Sequence, residues 1–324
     1  MTTQRDAFIS HLFERAKKDK DIYLISVDMG ASALDVWREE LPGQFFSAGI
    51  SEQNAINFAA GLSARGKKPY VYFMASWVAR CFEQIRFSCA MGGNPITILG
   101  NGVGLGYTPA GPAHEPTEDI AYMRSLCGME IYSPSNSLFA TQLVDLTCEI
   151  RKLRYLRLER SYPKELENLY EGTSLSFDFL EKGMFPVKTG SVKMSGNGKP
   201  KVCLLSSGYL LGRTIKVWER LITEGYEATV VDFWKIKPVD AVFFQQTVRD
   251  YKLIVTIEEQ TLSGGFGSAV CELLADAKYK KDVLRLGLPE RFIFENASRD
   301  YLLDHSGLSV DSIFNRVIEY HKSL

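Results

Sequence analysis

The feature that most constrains the fold is an alternation: short, apolar, β-rich runs separated by stretches of helical spacing. That pattern predicts α/β architecture built on a mostly parallel sheet with helices on both faces. IYLISVD (22–28) reads as a buried strand ending in an acid, and FFSAGI (45–50) as a short strand leading into SEQNAINFAAGLSARG. In that segment Ile56, Ala59, Ala60 and Leu62 recur at helical spacing, and Gly66 closes the helix. PYVYFM (69–74) is followed by a predicted helix through Arg80, Gln84 and Ala90. PITILG (95–100), MEIYSPSN (129–136) and RYLRLER (154–160) are further strands, with a helix at EDIAYMRSL.

From about Ser161 to Lys199 the chain turns polar and rich in Gly and Lys, as an interdomain crossing does. A second α/β series follows. KVCLLSSG is a strand, GYLLGRTIKVWERLITEG a helix ended by Gly225, and YEATVVDFWKIKP and YKLIVTIEE are strands. SGGFGSAVCELLADA is a glycine-opened helix. A length of 324 residues is enough for two cores, and the expected division is 1–165, a linker at 166–198, and 199–324.

Net charge is −1 with no long basic run, which argues against a nucleic-acid groove or an anionic membrane partner. No segment reaches the 18 or so apolar residues of a membrane span, and the amphipathic N-terminus has no apolar signal core. The six cysteines are scattered, without a C-x-x-C pair or Cys/His cluster, so free thiols in the cytoplasm are expected.

The sharpest local signal is GISEQNAINFAAGL (49–62), where Glu52 stands at a strand-to-helix junction. By itself it reads as an ordinary helix start, with Ser51 as cap and Glu52 facing the positive end of the dipole. Downstream, FMASWVARCFEQIR sets Trp77, Arg80 and Gln84 on one helical face. GNGVGLGYTPAGPAHEPTEDIAYMR then joins a glycine-rich loop to His114. That loop lacks both the GxGxxG and the GK[ST] spacing of phosphate cradles.

Taken in order, these motifs, with S-P-S-N after them, resemble the pyrimidine-binding domain of the transketolase family. VVDFWKIKPVD and TIEEQTLSGGFGSAV resemble that family's C-terminal domain, so the resemblance spans the chain. It implies a pyrimidine-binding domain at 1–165 and a transketolase C-terminal domain at 199–324. Family members bind the cofactor diphosphate and its Mg2+ through a separate domain bearing a G-D-G…N motif, and no GDG occurs here. The expectation is therefore the C-terminal half of a split transketolase. It would be active only with an N-terminal, diphosphate-binding partner subunit and would self-associate as an α2β2 heterotetramer.

The resemblance also implies roles. Thiamine diphosphate would rest its aminopyrimidine on this domain. Glu52 matches the glutamate that bonds a pyrimidine nitrogen, which helps the cofactor act as its own base. Trp77 matches the aromatic packed on that ring, with Arg80 and Gln84 on the same cofactor side. His114 matches a histidine that contacts substrate oxygens and moves protons, a task suited to imidazole. Asp28 and Ser32 match a D-x-x-x-S element on the substrate side, and Arg160 matches an arginine that clamps acceptor phosphate. The implied reaction moves a two-carbon ketol unit from a ketose phosphate to an aldose.

Two departures bear on the substrate. Where the family reads D-G-P-T-H, this chain has Ala110-Gly111-Pro112-Ala113-His114, and alanine cannot accept a hydroxyl. The position of another family histidine falls at Asn101-Gly102. A non-standard sugar is the expectation. Rival readings are the beta subunit of a 2-oxoacid dehydrogenase, a deoxyxylulose-phosphate-synthase-like enzyme, and an inactive scaffold subunit.

Overall fold

The computed structural model describes residues 3–161, 163–190 and 201–323. Among them, twelve strands form two sheets. The first contains β1 (Ile22–Ser26), β2 (Phe45–Ser47), β3 (Lys68–Met74), β4 (Thr97–Asn101), β5 (Glu130–Tyr132) and β6 (Arg154–Leu158). These pair in parallel in the order β5-β6-β4-β3-β1-β2. The second sheet contains β7 (Phe185–Gly190), β8 (Val202–Ser206), β9 (Ala228–Asp232), β11 (Leu253–Thr261) and β12 (Asp282–Leu288). Only β7, at its edge, runs antiparallel there.

Alternation along β3 shows how the first sheet is covered on both sides. Tyr70 and Tyr72 point into a core with Phe8, Ile9 and Leu12 of the helix Gln4–Lys18 and with the helix Ser137–Glu149. Val71 and Phe73 point the other way, onto Ile56 and Ala59 of the helix Glu52–Ala64. Gly66, at φ +84°, turns the chain out of that helix as expected, and Gly225, at φ +82°, does so after Leu210–Thr223.

Three elements differ from the sequence reading. YEATVVDFWKIKP forms two strands: β9 joins the second sheet, while β10 (Lys235–Lys237) adds antiparallel to β5 of the first. The second unit thus completes the first unit's sheet, and one core runs through Ile131, Phe233, Ile236, Phe266 and Val270. The 166–198 stretch holds a helix, Phe177–Lys182, and β7, which pairs with β9; its residues 191–198 lie outside the described ones.

The third difference is the predicted helix through Ala90. It is a 3-10 helix at Ala75–Cys81, one α turn at Phe82–Gln84, and a π-helix at Ile85–Met91. Buried residues explain the change: Ala75, Val78 and Cys81 recur every third residue, and Ile85 and Cys89 are four apart. The chain winds tightly, then loosely, to keep each of them in the core. No helix among the described residues is long and apolar enough to cross a membrane.

Candidate functional site

Parallel strands all deliver their carboxyl ends to one edge, and strand order reverses between β1 and β3. Loops leaving that edge diverge and open a crevice, the usual ligand site of open α/β sheets. Asp28 and Ser32 follow β1, Glu52 follows β2, Trp77 and Arg80 follow β3, and Arg160 follows β6. The strand–helix alternation therefore collects residues far apart in sequence.

Glu52 is the first residue of its helix and only 6% exposed. Its Oε2 lies 3.6 Å from Nη1 of Arg80, and among the described residues its carboxyl has no hydrogen-bond donor closer than that ion pair. Ser51 occupies the cap position, but its hydroxyl donates to Ala48 O at 2.6 Å instead of accepting from the helix. The capping half of the helix-start reading therefore fails for Ser51, while the dipole half holds for Glu52 without accounting for its burial. Glu52 faces the positive end of a helix dipole with its hydrogen-bonding capacity unused.

Around it the 3-10 turn places Trp77 and Arg80. The Arg80 guanidinium lies 4.9 Å from the Trp77 ring centre, and Gln53 Nε2 donates to Arg80 O at 3.1 Å. The His114 ring meets Trp77 edge-on at 5.2 Å, and among the described residues its buried Nδ1 has no hydrogen-bond partner. Glu52, Trp77, Arg80 and His114 are thus one cluster. Gln84 sits a turn further on; among the described residues its buried Oε1 has no partner, and it makes no hydrogen bond to the other four. Burial, reinforced by the Glu52 charge, pushes the Cys81 thiol up to about 12, so a neutral thiol backs the cluster.

A second group lies where β4 and β6 end. The Arg160 guanidinium stacks on Tyr107 at 4.1 Å, and Asn101 Nδ2 donates to the Tyr107 hydroxyl at 2.8 Å. Gly102 makes this possible: at φ +75°, a Cβ there would stand 1.9 Å from the Tyr107 ring. Arg160 and Ser32 are exposed, and Asp28 is exposed at φ +38°. The site is open. Arg80 is 56% exposed in its side chain, and Ile50, beside Glu52, is 75% exposed.

Sequence reasoning missed the supports. Asp119 is buried and accepts from Tyr155 at 2.7 Å and from Arg157 at 2.8 and 3.1 Å, fixing the helix after His114. Glu115, next to His114, is buried, and among the described residues its Oε1 has no partner. Burial, helped by Glu259 and Glu295, raises its carboxyl to about 7. Arg299 of the second unit lies between Glu159 and Glu259. One signal was available. Arg154, Arg157 and Glu159 alternating with apolar residues in RYLRLER, and the polar ending of TIEEQ, mark buried charges that need partners.

The model of the transketolase pyrimidine-binding domain matches residues 1–164, and that of the transketolase C-terminal domain matches 190–313. The B subunit of the apulose-4-phosphate transketolase of Phocaeicola vulgatus is 29% identical over 324 residues, covering 99% of this chain and 98% of its own. The 1-deoxy-D-xylulose-5-phosphate synthase of Caldanaerobacter subterraneus subsp. tengcongensis is 30% identical over 98% of this chain, which spans 49% of it. A solved structure described as a split gene transketolase, inactive beta4 tetramer, superposes with a TM-score of 0.84 at 28% identity. That match covers 99% of both chains.

Proposed function

The chain belongs to the transketolase family, and from that premise we propose that it is one subunit of a two-component, thiamine-diphosphate-dependent transketolase. The single observation that carries the reading is the Glu52 cluster: a buried carboxyl beside Arg80, whose guanidinium lies over the Trp77 indole, which in turn meets the His114 imidazole.

The donor set suits an aminopyrimidine. Such a ring needs an apolar wall on its face and a carboxyl at one ring nitrogen, and Trp77 and Glu52 supply these. When bound, thiamine diphosphate supplies the carbon nucleophile that adds to a ketose carbonyl and carries the two-carbon unit. Glu52 holds a proton in its hydrogen bond to the ring nitrogen, and the low dielectric around it strengthens that bond. Trp77 excludes water from the ring, with Arg80 and Gln84 on the same side. His114, with Nδ1 turned into the protein, offers Nε2 to a substrate oxygen. Arg160, held on Tyr107, presents its fork to an acceptor phosphate, and Asp28 and Ser32 line the same edge. The Mg2+ and diphosphate belong to a partner subunit with the G-D-G…N motif.

Partnership is supported by the open face at Glu52 and by the near-complete match to one component of the Phocaeicola vulgatus transketolase. The description of a similar split-gene beta tetramer as inactive supports it too. We place the complex, an α2β2 heterotetramer, in the cytoplasm, where six free thiols are stable. Ala110 in place of the family aspartate favours a donor other than the common pentose phosphates. A second reading, decarboxylation of pyruvate as in deoxyxylulose phosphate synthase, is favoured by the 30% identity to that enzyme.

Co-expression with the N-terminal subunit and a donor screen tests both. Ketol transfer without carbon dioxide release supports the transketolase reading, and release from pyruvate supports the other. Full turnover with xylulose 5-phosphate and ribose 5-phosphate refutes the non-standard donor. Glu52→Ala should abolish thiamine diphosphate binding and turnover. Residual turnover within about tenfold of wild type, about 1.4 kcal/mol of barrier, would refute the role of Glu52.

A further inference from the structure

The end of β11 in the second unit grips the loops that carry the substrate side of the site. Gln260 is 1% exposed, and its amide spans the segment just after His114. Nε2 donates to Pro116 O at 3.0 Å, and Oε1 accepts from Ile120 N at 3.4 Å. Next to it, Thr261 N donates to Thr117 O at 2.9 Å. Strand β11 thus reaches across the boundary and treats the 116–120 segment almost as a neighbouring strand.

On its other side, Glu259 holds the glycine-rich loop. Its Oε1 accepts from Leu105 N at 3.0 Å and from Arg299 Nε at 2.8 Å. Gly104 permits this approach: at φ +56°, a Cβ there would lie 2.7 Å from Glu259 Cδ. Arg299 then bonds Glu159 through Nη1 at 2.8 Å and Val103 O through Nη2 at 3.4 Å. Glu159 is the residue immediately before Arg160. The loops after β4 and β6 and the loop bearing His114 therefore share one anchor, outside the domain that carries Glu52.

We propose that Gln260, with Glu259 and Arg299, positions the His114 loop against Trp77, so that the second unit sets substrate geometry without touching the cofactor. Loops on the edge of a sheet have no ladder to fix them, and a misplacement of about 1 Å at a reacting group costs roughly a hundredfold in rate. Gln260 supplies the missing bonds. Its amide is suited to this because it donates and accepts at once. The inference rests on the transketolase reading for its kinetic consequences, but not for its structural ones.

Two substitutions test it in the reconstituted enzyme. Gln260→Met keeps the volume and removes both bonds. It should lower kcat about tenfold or more while leaving the half-saturating concentration of thiamine diphosphate within about twofold. Gln260→Glu keeps both bonds only while its carboxyl is protonated. Glu259 is next to it in sequence, and the Glu115 carboxyl and Arg299 guanidinium lie on the segments it joins. That variant should lose several-fold more activity between about pH 6 and about pH 8 than wild type does, in which Glu115 titrates near 7. Amide exchange of 112–121, measured in the chain without its partner, should accelerate in Gln260→Met whatever reaction the enzyme performs. If Gln260→Met does not fold, the pH profile of Gln260→Glu decides. Unchanged exchange in Gln260→Met, or kinetics within about twofold of wild type for both variants at both pH values, overturns the proposal. So does a parallel loss of cofactor affinity. A wild-type enzyme inactive with every ketose donor would instead sink the functional reading, leaving the exchange result to stand by itself.

Discussion

Asp232→Asn should stabilise the chain progressively as pH rises. Asp232 ends β9 at the seam between the units and is completely buried. Its Oδ2 accepts from Tyr170 at 2.6 Å and from Ser135 of the S-P-S-N turn, while Oδ1 has no partner among the described residues. Burial raises the carboxyl from 3.8 to about 7, against the downward pull of those two bonds. A raised carboxyl gives its full stability below the unfolded value and loses it as pH climbs through the folded one. Rising from 3.8 to about 7 covers about 3 pH units, which at ~1.4 kcal/mol each is about 4 kcal/mol of pH-dependent loss. Of that, the part between pH 5 and pH 7, about 3 kcal/mol, falls inside an accessible window.

Asparagine can accept the same two bonds without charge. Its amide nitrogen would stand unpartnered where Oδ1 now is, costing about 1–3 kcal/mol at every pH. That cost cancels when one protein is compared with itself at two pH values. The titration of Glu115 and Glu258, both raised to about 7 by burial, adds to the pH dependence of each protein but cancels in the difference between them, because it affects wild type and variant alike. Urea unfolding at pH 5 and pH 8 should therefore show wild type losing about 3 kcal/mol more than Asp232→Asn. Equal losses, within about 1 kcal/mol, would refute a buried carboxyl that ionises near neutrality.

Two further substitutions probe the substrate edge. Arg160→Ala should raise KM for a phosphorylated acceptor by about tenfold or more while sparing thiamine diphosphate binding; equal effects on an unphosphorylated acceptor would remove the phosphate role. Gly102→Ala meets the Tyr107 ring and a positive φ together, so it should cost about 1–2 kcal/mol of stability by thermal melting. It should also unseat Arg160 and mimic the kinetic effect of Arg160→Ala; a wild-type KM in this variant would show that the Tyr107 stack is not what holds Arg160.

The order of motifs from GISEQN to SGGFG, and the alternation of buried strands with helices, determined family and fold class and singled out Glu52, Trp77, Arg80 and His114, which the fold brings into one cluster. These properties are local, because side-chain period and motif spacing are written along the chain. Other features depended on residues meeting from a hundred or more positions apart, or on which side chains the finished core buries. Only the tertiary structure decided that VVDFWKIKP splits its strand between two sheets, or that burial at Ala75, Val78 and Cys81 turns an expected α-helix into a 3-10 turn. The same holds for the grip of Gln260 on the His114 loop, 144 residues away. A buried glutamine or aspartate looks like any other polar residue in sequence. Its burial, and hence the partners it requires and the pKa it acquires, exists only once the two units close over it.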